Sequence, residues 1–381
     1  MTVHNLAIFT ICSNNYMPMA KVLIESARRC HPDASLYICL ADKMLPDFDL
    51  YPRDCQIIPA ENLGILDFCQ FSFRYDIMEF NTALKPFMFL DLLDRGHGTI
   101  MYFDPDIEIY APVESVLEKI NGGASFVLTP HLLHPAEGDS EPDDIDIMKA
   151  GIYNLGFLGV GANGANAEAR AILEWWARRL RYQCVNEQGR GLFVDQKFID
   201  LVPGFADGAC ILRDPSLNVA YWNLEQRQLT QDGANWRVDG SPLIFFHFSG
   251  IDLDNLSQLS KHTSGFRGAA ISPPVRELMR HYADQVFANG FREARRIPYA
   301  YGRFASGATI PDQARWLFRT DYRDYSEDPF LAFEARVPPR DSKRPPPMSA
   351  EELTRHVEAI YASSSWKITR PLRTLKRLIR R

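Results

Sequence analysis

Apolar residues in this chain come in short bursts separated by polar turns, and the spacing inside each burst separates strands from helices. Leu6–Ile11 is a nearly continuous apolar run of strand length, closed by the polar turn Ser13-Asn14-Asn15-Tyr16. Met19–Arg29 follows with helical spacing. Ser35–Leu40 and Gln56–Pro59 predict a second and a third strand. Asp76–Asp94 predicts a long amphipathic helix interrupted near Pro86. Gly98–Phe103 and Ala124–Leu128 are again strand-like. Asn166–Cys184 predicts a strong helix, with Ala171, Trp175 and Leu180 among its apolar positions, and Phe193–Val202 a shorter one. Leu243–Phe248 is an apolar strand that ends at His247. This alternation predicts an α/β fold: a mixed, mostly parallel sheet with helices on both faces.

Two stretches depart from the alternation. Residues 131–149 carry His131, His134, Glu137, Asp139, Glu141, Asp143, Asp144 and Asp146 with few apolar neighbours. They read as a polar loop, either a solvated insertion or a lid. From about residue 276 the pattern turns helical and charged. Pro338–Pro347 reads Pro-Pro-Arg-Asp-Ser-Lys-Arg-Pro-Pro-Pro, a linker composition. The expected organisation is a main α/β domain over 1–275, a helical extension over 276–337, a proline-rich linker over 338–348 and a tail over 349–381.

The totals exclude several classes. The chain has 381 residues and a net charge of −6, which gives no argument for nucleic-acid binding. From Trp366 to Arg381 there are seven Lys or Arg and no acid, which leaves the first 365 residues at −13, the difference between −6 and +7. Seven cysteines without a Cys-x-x-Cys fit reduced cytosolic thiols better than a disulfide framework or a zinc site. The stretch Leu6–Cys12 is short and has no basic lead, so it does not read as a signal peptide, and no run of 18 apolar residues predicts a membrane span.

The most informative segment is Asp104-Pro105-Asp106, at the end of the apolar run Ile100–Phe103. Proline ends strand pairing and stiffens the turn, so both acids face the region beyond the strand's carboxyl end, where open α/β sheets bind ligands. Two close carboxylates repel unless a cation or a proton lies between them. A hard divalent ion holding a substrate diphosphate suits the place. Three later segments read with it: Tyr153-Asn154-Leu155-Gly156-Phe157, Asp195-Gln196-Lys197 and Phe246-His247-Phe248-Ser249-Gly250, with Lys261-His262 beyond.

In this order the segments resemble the retaining sugar-nucleotide glycosyltransferases of the GT-A fold, family 8, typified by glycogenin and the bacterial lipopolysaccharide galactosyltransferases. The likeness covers about residues 5–265. It implies that Asp104, Asp106 and His247 ligate Mn²⁺ (or Mg²⁺), a donor set the chemistry supports, with the imidazole nitrogen favouring manganese. It implies that Asn154 and Gly156 lie along the donor sugar, and that Asp195 and Gln196 are the catalytic acid–amide pair beside the anomeric carbon. Asp195 is equally well placed as a helix N-cap. The resemblance further implies that Thr10, Asn14 and Tyr16 line the nucleotide pocket, with Tyr16 stacking on the base, and that Lys85, Lys261 and His262 meet the diphosphate. One departure is plain: Ile251-Asp252-Leu253-Asp254 stands where the family has Lys-Pro-Trp.

The tail carries its own signal. Leu372, Leu375, Leu378 and Ile379 fall on one helical face, with Arg373, Lys376, Arg377, Arg380 and Arg381 around it and Trp366 at the entry. A basic amphipathic helix of this kind reads as a contact with an anionic membrane surface through residues 366–381. The string also resembles tails of bacterial surface-polysaccharide enzymes. The expected partners are therefore a nucleotide-sugar donor, probing toward UDP, and a glycan or lipid-linked glycan acceptor, with no nucleic acid, at a cytoplasmic location peripheral to the inner face of the membrane. Two other readings stay open at this point. One is a haloacid-dehalogenase-like phosphatase, whose nucleophile also lies in Asp-x-Asp after a strand, although here Ile107 and Glu108 follow. The other is a non-catalytic sugar-nucleotide-binding scaffold.

Overall fold

β1 (Leu6–Cys12), β2 (Ser35–Leu40) and β3 (Gln56–Pro59) form as the apolar runs predict, and α1 (Met17–Cys30) fills the first crossover. The computed structural model describes residues 5–337 except 47, 138–140, 163–166, 234, 264–270 and 323. The proline-rich linker at 338–348 and the basic tail at 349–381 lie outside the described residues. α2 (Phe68–Arg74), α3 (Ile77–Ala83) and α4 (Lys85–Asp94) lead into β4 (Thr99–Phe103), which is followed by β5 (Ile107–Ile109), α5 (Glu114–Asn121) and β6 (Phe126–Leu128). Then come α6 (Asp144–Ala150), β7 (Phe157–Gly161), α7 (Ala167–Gln183), the short pair β8 (Asn186–Glu187) and β9 (Leu192–Phe193), α8 (Gln196–Ile199), α9 (Val202–Phe205) and β10 (Ala209–Ile211). The meander β11 (Leu229–Asp232), β12 (Asn235–Val238) and β13 (Ser241–Pro242) precedes β14 (Phe245–His247) and α10 (Pro273–Ala288).

The main sheet has seven strands in the order β10-β6-β7-β4-β1-β2-β3. All neighbours run parallel except β7, which is antiparallel to both β4 and β6. Strand alternation sorts the core between the two faces. Ala7, Phe9, Ile11, Ile100 and Tyr102 pack with Phe80, Phe89, Leu173 and Trp176 from α3, α4 and α7. Leu6, Ile8, Met101 and Phe103 pack with Leu23, Ile24 and Ala27 of α1 and Val116 and Ile120 of α5. Both faces are covered, which is why β4 reads as an unbroken apolar run. Each such side chain, fully buried, contributes about 1.5–3 kcal/mol. α10 adds a third cluster against α1, through Leu278, Met279 and Tyr282 on Met19 and Val22. Among the described residues, no helix is long and apolar enough to cross a membrane.

Several expectations need correction. The helix expected over Asp76–Asp94 is two helices that part at Leu84. α3 starts in a capping box between Asp76 and Glu79, and Pro86 sits in the first turn of α4, where a missing N–H costs nothing. The polar stretch 131–149 contains α6. Asp143 caps it by accepting from the Asp146 N–H at 2.8 Å, and none of its residues is buried, so its acids build a helix end without core contacts. The short helix expected over Phe193–Val202 is α8 and α9, four residues each. Strand β7 has no counterpart in the sequence reading. Its Phe-Leu-Gly-Val-Gly run is diluted by glycines that packing demands: a Cβ at Gly161 would stand 2.3 Å from the Ala124 carbonyl oxygen.

Candidate active site

β4 delivers Asp104 beyond the carboxyl end of the sheet, and a tight turn brings Asp106 back toward it. The Ile107 N–H donates to the Asp104 carbonyl at 3.1 Å, which makes Asp104-Pro105-Asp106-Ile107 a β-turn with Asp first and Pro second. β5 then pairs antiparallel with β14, His247 opposite Ile107, and the Phe248 N–H donates to the Asp106 carbonyl at 2.8 Å. Backbone pairing, across 141 positions of sequence, thus sets His247 beside the two acids. His247 Nε2 lies 3.2 Å from Asp106 Oδ1 and 3.7 Å from Asp104 Oδ2. The ligand atoms of the three residues all lie within 4.8 Å of one another.

Burial disfavours an imidazolium at His247, yet Asp106, and Asp104 after it, outweigh that and raise its pKa. The imidazole stands against both carboxylates, at a place where a divalent cation would offset the same negative charge. Two carboxylates and one imidazole are a donor set for Mn²⁺ or Mg²⁺. Space agrees. A Cβ at Gly156 would fall 2.3 Å from His247 Cε1 and 2.5 Å from Nδ1, so only glycine leaves the ring its position. The residues therefore fit a divalent ion.

Lys85 stands at the start of α4, 2% exposed, and its ammonium is shared among three acceptors. Nζ is 2.7 Å from the Leu155 carbonyl, 2.8 Å from Asp195 Oδ2 and 3.7 Å from Asp104 Oδ1. It also lies 4.5 Å from the centroid of the Tyr102 ring. Burial lowers its pKa, but Asp104 and Asp195 outweigh burial and keep it an ammonium. The Tyr102 hydroxyl donates to Asp104 Oδ1. Tyr102 holds the Asp104 carboxylate, and nothing in its apolar strand marked it beforehand. Trp222, in the Asn218–Asn223 segment, also reaches the cluster: its indole meets the His247 ring edge-on at 5.1 Å between centroids.

Asn154 and Gln196 lie one layer behind. Asn154 Oδ1 accepts from the Gly156 N–H at 2.9 Å and from Asn218 Nδ2 at 3.1 Å, and its Nδ2 is 3.1 Å from His131 Nε2. It fixes the turn that places Gly156. Gln196 Oε1 accepts from the Leu155 N–H at 2.8 Å and Nε2 donates to the Ala150 carbonyl at 3.0 Å, so both ends of its amide hold the 150–155 loop. Asp195 occupies the N-cap position of α8 without a side-chain capping bond; its carboxylate faces Lys85.

His131 is fully enclosed, and burial pushes its pKa down to about 4. Its Nδ1 faces the Ile152 carbonyl at 3.4 Å, which leaves Nε2 to accept from Asn154 in the neutral ring. Its folded pKa lies below the ordinary histidine value of 6.5, so the unfolded chain binds the proton first. This contribution to stability is complete above pH 6.5 and is lost as pH falls toward 4, at about 1.4 kcal/mol per unit. His131→Gln should flatten the fall in unfolding free energy between those pH values, measured by urea titration; equal slopes for the two proteins would remove His131 from this role.

The remaining candidates are Thr10, Asn14, Tyr16, Lys261 and His262. Thr10 is fully buried within β1, with its hydroxyl inside the core. Asn14 is also buried and is committed to the β2 side: Nδ2 donates to the Lys43 carbonyl at 2.9 Å and Oδ1 accepts from Tyr51 at 2.7 Å. Tyr16 is 41% exposed. Burial of its phenol, then Asp106 and Asp104, raise its pKa, which places the hydroxyl within the field of the acid pair. Lys261 and His262 are exposed, on the segment that returns past Gly250 through a Lys261 N–H bond to the Gly250 carbonyl at 2.9 Å. Burial, then Lys261, lower the His262 pKa, and Asp106 opposes them.

No family model matches the chain. YfnF, an uncharacterized protein of Bacillus subtilis (strain 168), is 25% identical over 264 residues, which is 67% of this chain and 84% of that protein. Among solved structures, the galactosyltransferase LgtC in complex with donor and acceptor sugar analogs aligns over 74% of this chain and 95% of its own, at 12% identity and a TM-score of 0.39. The glycosyltransferase GlyE of Streptococcus pneumoniae TIGR4 aligns over 79% of this chain and 66% of its own, at 14% identity and a TM-score of 0.39. Both are glycosyltransferases, and the likeness of backbone is partial.

Proposed function

We propose that this chain is a glycosyltransferase that takes a sugar from a nucleotide donor, UDP-linked by the resemblance, and passes it with retention to a glycan or lipid-linked glycan. The observation that carries the reading is the convergence of Asp104, Asp106 and His247 at the carboxyl end of the sheet, with the buried Lys85–Asp195 pair against Asp104. Asp104, Asp106 and His247 would hold Mn²⁺ or Mg²⁺, which when bound would supply charge neutralisation for a departing diphosphate.

The chain's own residues do the rest. Asp195 receives sugar hydroxyls and favours positive charge developing at the anomeric carbon, while Lys85 opposes the rise in pKa that burial gives that carboxylate. Gln196 and Asn154 act through the 150–156 segment they hold, so that Gly156 offers backbone to the sugar without a side chain in the way. Tyr16 offers its exposed ring as a stacking surface for the base, and Lys261 and His262 serve the phosphates from the segment after Gly250. The anomeric carbon–oxygen bond breaks with its electron pair on the diphosphate. The acceptor oxygen forms the new bond from the same side, and its proton passes to the diphosphate. The basic stretch 366–381 supports a peripheral place at an anionic membrane surface by its composition.

The test is nucleoside diphosphate release from a panel of nucleotide sugars, with Mn²⁺ and with EDTA. Release that requires the ion is expected from at least one donor. If every donor survives a prolonged incubation with Mn²⁺ present, the reading falls.

A further inference from the structure

A pocket of ≈ 350 Å³ is lined in part by Trp222, whose indole separates it from His247 of the acid–imidazole cluster. A second pocket of ≈ 610 Å³ adjoins the first, because Glu225 and Gln226 line both. Each volume falls in the range of about 300–1,000 Å³ that encloses a drug-sized ligand, and the two in series exceed what one sugar ring fills. The shared wall is firm. Gln226 Oε1 accepts from the Leu133 and His134 N–H groups at 3.1 and 3.2 Å, and Nε2 donates to the His134 carbonyl at 2.7 Å. The second pocket continues past Gln228 and Thr230 to the start of α10.

The lining chemistry narrows the occupant. Trp222 is 7% exposed, and its indole N–H is enclosed without a hydrogen-bond partner, an unusual state for a buried donor. The flat indole also suits a pyranose face. The charged lining residues of the two pockets include Glu225 and Asp239, while the guanidinium of Arg227 is buried and donates inward to the Pro215 and Leu217 carbonyls at 2.9 and 2.7 Å. Such a wall repels carboxylate, sulfate and phosphate groups.

We propose that these joined pockets are the acceptor groove, and that the acceptor is an oligosaccharide chain of several sugar units with no anionic group. This rests on the glycosyltransferase reading and adds to it the length and charge class of the acceptor. The groove places the chain end beside His247 at Trp222 and the body of the chain over Glu225 and Gln228.

The experiment applies the labelled full chain to a glycan array that spans monosaccharides to hexasaccharides and includes neutral, amino-bearing and anionic glycans. Retention is expected on neutral or amino-bearing chains, rising by about tenfold or more from disaccharide to hexasaccharide. Gln228→Trp, which obstructs the outer pocket at an exposed position, should erase the gain with length. Glu225→Lys should weaken retention of neutral and amino-bearing chains and admit anionic ones. Melting temperatures equal to wild type confirm that both variants fold. Retention of anionic glycans by the wild type, equal retention of short and long chains, no retained glycan, or variants that behave as wild type would each overturn the groove. Donor hydrolysis by the wild type without acceptor, run in parallel, separates the two failures: hydrolysis with a wrong array pattern sinks the groove alone, and absent hydrolysis sinks the donor reading.

Discussion

Asp106→Ala should reduce ion-dependent release of nucleoside diphosphate by several kcal/mol of barrier, roughly 10³-fold, with little change in melting temperature. The local structure explains both halves of this result. The side chain is partly exposed and supports no core packing, while the Asp106 carbonyl that receives the Phe248 N–H belongs to the backbone and survives the change. The carboxylate, by contrast, is the near partner of His247 at 3.2 Å, and Asp104 is 3.7 Å away. Two ligands are a poor grip for a hard cation that prefers six or more oxygens. Asp106→Asn keeps shape and removes charge, so it should resemble the alanine variant. Measured with a saturating nucleotide sugar and graded Mn²⁺, undiminished turnover in either variant would refute the assignment.

Lys85→Met should destabilise the protein by about 3–5 kcal/mol, the usual cost of leaving a buried ion without its partner. Asp195 is 1% exposed and its closest cation is Lys85 at 2.8 Å; the Leu155 carbonyl loses a donor at the same time. The loss appears as a lower urea midpoint with an unchanged slope. Pairing the change with Asp195→Leu should recover most of the loss, since the stranded charge is then gone. A single variant as stable as the wild type would show that the pair carries no such burden.

Much of this arrangement was legible because two periodicities are simple to read. The strands β1, β2 and β4 are covered on both faces, so their composition alone marks them, and the acid pair follows the last of them by chemistry that a turn proline makes visible. What stayed hidden depends on contacts between distant parts. Tyr102 reads as one more core aromatic until its hydroxyl is seen on Asp104. Gln196 carries an amide whose two ends find backbone partners 41 and 46 positions away, which no local pattern encodes. The antiparallel β7 escaped because close packing demands glycine where strand propensity asks for bulk.

The three-residue pairing of β5 with β14 has a consequence for how this protein can vary. Side chains on so short a ladder alternate in parity, with Phe245 and His247 on one side and Phe246 on the other. A single inserted or deleted residue there exchanges the imidazole for a core phenylalanine in one step. The few positions from Ile244 to Phe248 are therefore locked in number as well as in kind.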